Sequence, residues 1–211
     1  MTTSLPSLAP GTIRFLPIGD SYTIGQGIDP KEIWPVLLTE RLKEAGINIE
    51  LIGNPARTGW TTQDAIKKEL PIFESERPTF STLLIGVNDW VQGVDAGMFR
   101  ERLSFLLDRM QATLPPNRLI VITIPDFSVT PAGSSFGDPS ENAEGIRSFN
   151  QIIQEEAIKR SLPVVDLFTL SQAMGTDSSL VADDGLHPSA KEHLLWLEQI
   201  LPVALKTLAQ R

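Results

Sequence analysis

A serine, an aspartate and a histidine in this sequence could together carry out nucleophilic catalysis. A serine hydroxyl is a poor nucleophile until a neighbouring base accepts its proton, and a histidine base works best when a carboxylate fixes its tautomer. Ser21, Asp184 and His187 supply these groups, and the last two are three residues apart, which lets the carboxylate reach the imidazole within one loop. A capping box formed by Ser189 and Glu192 then begins the last helix and fixes the end of that loop.

Two further residues could stabilise the tetrahedral intermediate of acyl transfer. That intermediate needs hydrogen-bond donors aimed at the oxygen on which negative charge develops. Gly59 can present its backbone N–H without a Cβ in the way, and Asn88 can offer its side-chain amide. The sequence therefore contains candidates for a nucleophile, a base, an orienting carboxylate and an oxyanion hole.

Alternating apolar segments and helical patterns position these residues. The predicted strands are Thr12–Ile18, Asn48–Ile52, Thr79–Ile85, Arg118–Ile124 and Pro163–Leu167. The predicted helices are Pro30–Ala45, Thr62–Leu70 stopped by Pro71, Asp95–Leu114, Ala143–Arg160 and a C-terminal helix from Ser189. Strands separated by helices require crossover connections, so we predict an α/β domain with three layers, α/β/α, around a parallel five-stranded sheet. Ligands of such sheets bind at the carboxyl ends of the strands.

Four clusters of small and polar residues lie at those strand ends and before the last helix. They are Gly19-Asp20-Ser21, Gly59, Gly86-Val87-Asn88-Asp89 and Asp184-Gly185-Leu186-His187. In order and placement they resemble the four motif blocks of the SGNH hydrolases, also called the GDSL esterase/lipase family. The resemblance runs from about residue 12 to the last helix, and Tyr22 departs from it by standing where the family name expects leucine.

The resemblance implies a role for each of these residues. Ser21 would be the nucleophile, Asp184 and His187 would complete the triad, and the N–H groups of Ser21 and Gly59 with the side chain of Asn88 would form the oxyanion hole. It also implies a flavodoxin-like sheet, a shallow substrate cleft and hydrolysis of esters or thioesters without a metal. We expect a serine esterase that forms an acyl-enzyme.

Composition excludes several other chemistries. The chain has 18 Lys and Arg residues against 26 Asp and Glu residues, a net charge of −8, which argues against binding of nucleic acid or an anionic membrane. The absence of cysteine excludes disulfides, zinc–thiolate sites and cysteine nucleophiles. Of the two histidines, only His187 belongs to a motif. His193 is expected on a solvated or half-packed helix face, and Asp183 is expected to be a solvated loop carboxylate. We expect no metal and no other cofactor.

Chain length predicts one domain over residues 1–211, with a flexible N-terminal arm at 1–10 and a loop insertion at 128–145. The arm lacks the basic residues and apolar core of a signal peptide, and no segment has the roughly 18 apolar residues of a membrane span. We expect a soluble, cytoplasmic protein whose partner is a small-molecule ester, without nucleic acid and without membrane insertion.

Aromatic residues next to the motifs are candidates for the substrate cleft. Trp60 and Trp90 directly follow two of the motif clusters, and Phe127 and Phe136 flank or lie within the insertion. These side chains could bind an acyl chain or stack on a sugar ring. Packing of the insertion onto the domain is an equally good explanation of each.

Small, short-chain acyl esters and acetylated sugars are favoured as substrates, because the insertion is modest and no long apolar lid is present. Lysophospholipid or acyl-thioester hydrolysis is the alternative within the same mechanism.

The turn at Gly19–Gly27 lacks the glycine spacing and the lysine of nucleotide-binding loops. A metal-dependent phosphoesterase would need more histidines. A non-catalytic carbohydrate- or lipid-binding module is the alternative from a different class.

Overall fold

Six parallel strand segments form the sheet in the computed structural model of the protein, which describes residue 9 and residues 11–209. The predicted arm at 1–10 thus lies outside the described residues, apart from Ala9. The segments are β1 Ile13–Phe15, β2 Ile18–Gly19, β3 Ile49–Leu51, β4 Ser81–Leu84, β5 Leu119–Ile122 and β6 Val164–Val165. β1 pairs with β3, and β2, β4, β5 and β6 pair in that order.

The first predicted strand is divided into β1 and β2 because Pro17, between them, has no N–H to give to a ladder. The chain stays in the sheet across this break, since the Leu16 N–H donates to the Phe80 carbonyl over 3.2 Å. The predicted count of five strands is met only when β1 and β2 are taken as one. The order is then β3, β1/β2, β4, β5, β6, which is the flavodoxin-like arrangement.

Helices cover both faces of the sheet and confirm the predicted α/β fold. They are α1 Ser21–Ile24, α2 Trp34–Glu44, α3 Thr62–Asp64, α4 Leu70–Glu76, α5 Val87–Val91, α6 Ala96–Thr113, α7 Pro139–Lys159, α8 Phe168–Ser171 and α9 Ala190–Ala209. A π-helical turn, Ala65–Glu69, joins α3 to α4. α2 packs against α9, and α6 packs between α4 and α7. Every residue of β4 and β5 is buried, as expected for parallel strands covered on both sides.

Two helix boundaries differ from the prediction. The helix predicted to stop at Pro71 continues to Glu76, because the preceding π turn breaks the regular hydrogen-bond ladder at the point where proline lacks its N–H. α7 begins at Pro139 rather than Ala143, because Asp138 caps it by accepting the N–H groups of the second and third helical residues. The irregular part of the predicted insertion therefore ends at Asp138, and it contains the 3₁₀ turn Gly133–Phe136.

His193 is fully buried, contrary to the expectation of a solvated or half-packed helix face. It is 1% exposed, its Nδ1 accepts the backbone N–H of Trp34 over 3.0 Å, and its ring stacks on Trp196 with centroids 4.9 Å apart. The Trp34 N–H lies in the first turn of α2, where no intrahelical acceptor exists, and the packing of α9 on α2 brings the imidazole to it. Burial lowers the pKa of His193 to about 3.

We expect His193 to make folding stability depend on pH. Below about pH 6.5 the unfolded chain binds a proton at this residue that the folded chain excludes, so stability falls as the pH drops toward the folded pKa of about 3. In His193→Gln, whose side-chain oxygen can still accept the Trp34 N–H, this dependence should vanish. Urea unfolding at about pH 7 and about pH 5 should show roughly 2 kcal/mol more loss in the wild type. Equal losses in both proteins would contradict the assignment.

Among the described residues, no helix combines the length and the apolar character that crossing a membrane requires.

Candidate active site

Ser21 is the first residue of α1 and follows β2 after a single turn residue. That residue, Asp20, caps α1 by accepting the Tyr22 N–H over 3.0 Å, and Gly25 ends the helix in the left-handed region at φ 73°. Gly19 must be glycine, because a Cβ there would lie 2.2 Å from Thr23 Oγ1 and 2.5 Å from a β4 carbonyl oxygen. The tight turn from strand to helix places Ser21 at the carboxyl edge of the sheet.

Asp184 and His187 are hydrogen-bonded to each other within one loop. Asp184 Oδ2 lies 2.6 Å from His187 Nδ1, and Asp184 Oδ1 accepts the backbone N–H groups of Leu186 and His187, each over 2.9 Å. Partial burial acts to raise the pKa of Asp184, but these backbone and ring hydrogen bonds outweigh it and hold the pKa below its usual value. The carboxylate thus stays ionised and fixes the orientation of the imidazole.

The fold brings Ser21, Asn88 and His187 to one small pocket with a volume of about 50 Å³. Its walls are Ser21, Tyr22, Val87, Asn88, Val91, Phe127, Phe136, Leu186 and His187. Two clefts are larger. One of about 510 Å³, bordered by Ser161, Pro202 and Lys206, lies where β5 and β6 begin, at the other edge of the sheet, and one of about 520 Å³ is bordered by Trp90 and the start of α7. The smaller pocket contains the side chains that could carry out the chemistry, so it is the candidate site.

Asn88 and Gly59 are joined through the loop before α3. Asn88 Nδ2 donates to the Trp60 carbonyl over 2.9 Å, which leaves its second amide hydrogen for another acceptor. Gly59 is exposed, adopts the left-handed region at φ 81°, and its carbonyl accepts from Gln92 Nε2 over 3.4 Å. Gly59 does not line the pocket wall, whereas Asn88 does.

Asp89, the neighbour of Asn88 in the same motif, supports this loop. It is fully buried and accepts the Thr62 N–H over 2.7 Å and the Thr62 hydroxyl over 2.5 Å. Burial raises the pKa of Asp89 in spite of these hydrogen bonds and the nearby Arg102. Asp89 therefore ties α5, which carries Asn88, to the start of α3.

The structure separates the four aromatic candidates into two pairs. Phe127 and Phe136 line the pocket and contact each other edge to face, with centroids 5.7 Å apart. Trp60 and Trp90 do not line it. Lys68 Nζ lies 4.9 Å from the Trp60 ring centroid.

Trp90 serves to pack α5 onto α7. Its indole N–H donates to Asn142 Oδ1 over 2.9 Å, and its ring lies so close to Gly145 that a Cβ there would be 2.1 Å from it. Its ring also meets Phe149 edge to face. The proximity of Trp90 to a motif in the sequence thus reflects packing of helices.

Tyr22, the residue that departs from the family pattern, contacts the His187 imidazole. It is 4% exposed, and its ring lies edge to face with both His187 and Trp196, at centroid distances of 6.2 and 5.9 Å. The departure from leucine at this position therefore alters the wall beside the base. Its adjacency to Ser21 was the only signal available in the sequence.

Within residue 9 and residues 11–209, no three His, Asp or Glu side chains are grouped so that they could hold a metal ion.

Several known proteins resemble this chain in sequence or in fold. The sequence model of the GDSL-like lipase/acylhydrolase family matches residues 18–195. Esterase TesA from Pseudomonas aeruginosa is 21% identical over 187 residues, which cover 89% of this chain and 85% of that protein. The structure of a lipase/acylhydrolase from Enterococcus faecalis has a TM-score of 0.73 at 23% identity, covering 90% of this chain and 94% of the other. A variant of an acetyl xylan esterase from Geobacillus stearothermophilus has a TM-score of 0.73 at 17% identity, covering 92% and 95%.

Proposed function

The chain belongs to the GDSL-like lipase/acylhydrolase family and is a serine ester hydrolase, and on that premise we propose that it hydrolyses carboxylic esters of small acyl groups through an acyl-enzyme on Ser21. The observation that carries the proposal is the pair formed by Asp184 and His187, 2.6 Å apart, in a loop whose imidazole shares a pocket with the Ser21 side chain. Neither member of the pair is next to Ser21 in the sequence, so the fold assembles them.

Acylation begins when His187 Nε2 accepts the proton of the Ser21 hydroxyl as Oγ attacks the ester carbonyl carbon. The carbonyl oxygen becomes an oxyanion, for which we assign the Ser21 N–H and the free amide hydrogen of Asn88 as donors. The Gly59 N–H is assigned as a third donor from the family resemblance alone, since Gly59 does not line the pocket. His187 then donates its proton to the leaving alcohol, and the C–O bond of the ester breaks. The acyl group remains on Ser21 Oγ.

Deacylation repeats these steps with water as the nucleophile. His187 accepts a proton from water as the water oxygen attacks the acyl carbon, and it returns that proton to Ser21 Oγ as the acid departs. Asp184 accepts the hydrogen bond from His187 Nδ1 throughout, which keeps Nε2 available for both proton transfers and stabilises the imidazolium.

Pocket size supports acetyl and other short acyl groups. The pocket is small, about 50 Å³, and four of its lining side chains, Val91, Phe127, Phe136 and Leu186, are apolar, which favours a short apolar acyl group. Small esters, among them acetylated sugars, are therefore preferred over lysophospholipids and acyl thioesters as the substrate class. The acetyl xylan esterase of similar fold gives independent support to acetyl esters.

A phosphonate probe tests the proposed nucleophile directly. A fluorophosphonate should label the wild-type protein once per chain, and peptide mapping should find the label on Ser21. Ser21→Ala should remain unlabelled under the same conditions. Absence of labelling in the folded wild type, or labelling of another serine, would refute the proposed mechanism.

Phe136 is expected to limit acyl length. It is 43% exposed at the pocket rim, and its contact with Phe127 narrows the space available to an acyl chain. In Phe136→Ala the ratio of kcat/KM for butyryl to acetyl esters should rise by about tenfold, since each methylene accommodated in an apolar pocket contributes roughly 1 to 3 kcal/mol. Rates on an acetyl-to-hexanoyl ester series measure this ratio.

Phe105→Ala is the matched control for that substitution. Phe105 is 44% exposed on α6 and does not line the pocket, so its removal should leave chain-length preference unchanged. An unchanged preference in Phe136→Ala would show that this side chain does not bound the acyl site.

A further inference from the structure

A buried glutamate lies beneath the turn that carries Ser21, and the mechanism above does not use it. Glu69 has no exposed surface, and its Oε1 accepts the backbone N–H of Gly19 over 3.1 Å. Gly19 is the last residue of β2 and is separated from Ser21 by Asp20 alone. The carboxyl group of Glu69 therefore bonds to the backbone two residues from the proposed nucleophile.

The sheet does not supply a partner strand on both sides of this segment. β2 pairs with β4 only, and the ladder between β1 and β3 ends at Phe15 and Leu51, before β2 begins. A buried backbone N–H without an acceptor costs about 1 to 3 kcal/mol. Glu69 supplies the acceptor for Gly19 in place of a neighbouring strand.

Glu69 is the last residue of the π turn between α3 and α4. Leu70 N–H bonds to the Ala65 carbonyl, five residues earlier, so the turn contains one residue more than a regular helical turn. Glu69 and Leu70 are both buried, while Ile72 is 44% exposed. Single π turns inside helices are frequent at functional sites.

The surroundings of Glu69 favour a proton on it over a negative charge. Asp20, Arg57 and Asp64 are the charged groups that act on it, and burial raises its pKa well above the usual value despite the hydrogen bond from Gly19. Burial also raises the pKa of Asp20 to about 8. Two enclosed carboxyl groups that repel each other do not both ionise.

Unpartnered oxygen atoms accompany the two buried carboxyl groups. Among the described residues, Glu69 Oε2, Asp20 Oδ2 and Thr23 Oγ1 are enclosed without a hydrogen-bond partner. Thr23 Oγ1 lies directly against Gly19, whose missing Cβ makes room for it. A carboxylic acid O–H is a donor, which an ionised pair of carboxylates would lack.

We propose that Glu69 is a positioning residue for ester hydrolysis, held as a neutral carboxylic acid that fixes the strand end at Gly19 from which Ser21 projects. Its effect on turnover rests on the proposed role of Ser21. A small displacement of the nucleophile and of the Ser21 N–H would misalign both the attacking oxygen and the oxyanion hole, and a misplacement of 1 Å can cost about 10²-fold in rate.

Two substitutions, Glu69→Gln and Glu69→Leu, distinguish the role of the Glu69 hydrogen-bond acceptor from that of a negative charge on Glu69. Glutamine keeps the shape and the acceptor oxygen without a charge, so kcat, KM and the pH profile of the wild type should be preserved. Leucine removes the acceptor, so kcat should fall by about 10- to 100-fold with KM unchanged, and the Gly19 amide should exchange its hydrogen faster. If the leucine variant does not fold, Glu69→Gln alone decides.

Glu156→Gln is the matched control. Glu156 is 3% exposed but is paired with Arg100, Lys159 and Arg160. Burial opposes its ionisation, yet the hydrogen bonds from these cations lower its pKa to about 2. Glutamine at this position should therefore lower stability, because it removes a charge that three cations neutralise, and should leave kcat unchanged. Glu69→Gln removes no charge and should preserve both.

Infrared spectroscopy tests the proton without any measurement of hydrolysis. The difference spectrum between wild type and Glu69→Gln at neutral pH should contain the C=O stretch of a protonated carboxylic acid. Absence of that band, or a loss in kcat from Glu69→Gln as large as that from Glu69→Leu, overturns the proposal. If the band and the exchange of Gly19 behave as expected but the phosphonate does not label Ser21, the proposed function fails and the assignment of Glu69 as a neutral acid stands.

Discussion

Ser21→Ala should lower kcat for ester hydrolysis by at least about 10⁴-fold, because the substitution removes the oxygen that attacks the carbonyl carbon. The remaining oxyanion donors and the pocket would still bind substrate, so KM should change little and a small residual rate should persist. Folding should be preserved, because the Ser21 side chain stands at the pocket wall and the helix is capped by Asp20.

Steady-state hydrolysis of an acetyl ester, with thermal unfolding recorded in parallel, measures both parts of this expectation. Ser75→Ala is the control, since Ser75 has an exposed hydroxyl on α4 that bonds only locally to the Ile72 carbonyl. A Ser21→Ala protein that is folded and retains a tenth or more of the wild-type kcat would show that Ser21 is not the nucleophile.

Asp184→Asn should lower kcat by about 10⁴-fold while leaving the geometry of the loop largely intact. An asparagine amide cannot hold the imidazole with Nδ1 protonated and Nε2 free, and it does not stabilise the imidazolium that forms on proton transfer. Asp184 Oδ1 accepts two backbone N–H groups, and asparagine can still accept these through its carbonyl oxygen.

The neighbouring Asp183 offers a control of the same residue type in the same loop. Asp183 is exposed, so Asp183→Asn removes an identical charge next to the site and should leave kcat within the wild-type range. Rates of both variants on one acetyl ester, measured at several pH values above 5, make the comparison. Equal activities of the two variants would eliminate Asp184 as the orienting carboxylate.

Much of the architecture follows from short-range signals in the chain. Apolar runs, caps and turn glycines indicated where strands and helices lie, and the alternation of strand and helix required a parallel sheet covered on both faces. The predicted elements differ from the structure at Pro17 and Pro71, where neighbouring residues change the effect that proline has on the backbone. Pro17 interrupts a strand without leaving the sheet, and Pro71 follows a π turn that no propensity rule anticipates.

Side-chain environments were harder to infer, because long-range contacts determine them. The two histidines differ in this respect. A carboxylate three residues away holds His187, and this arrangement was visible in the sequence. His193 is buried through a backbone donor 159 positions distant, a contact that exists only after α9 has packed against α2.

Residue type and local spacing made Ser21, Asp184 and His187 a candidate set at one edge of the predicted parallel sheet. In the structure Ser21 and His187 line one pocket, and Asp184 is bonded to His187. Packing alone decided that Phe136 bounds the pocket, that Trp90 joins two helices, and that Glu69 is buried under Gly19. The reason is physical, because burial and hydrogen-bond partners depend on which surfaces meet in three dimensions. The sequence pattern shows only which faces of each helix and strand are apolar and must be covered.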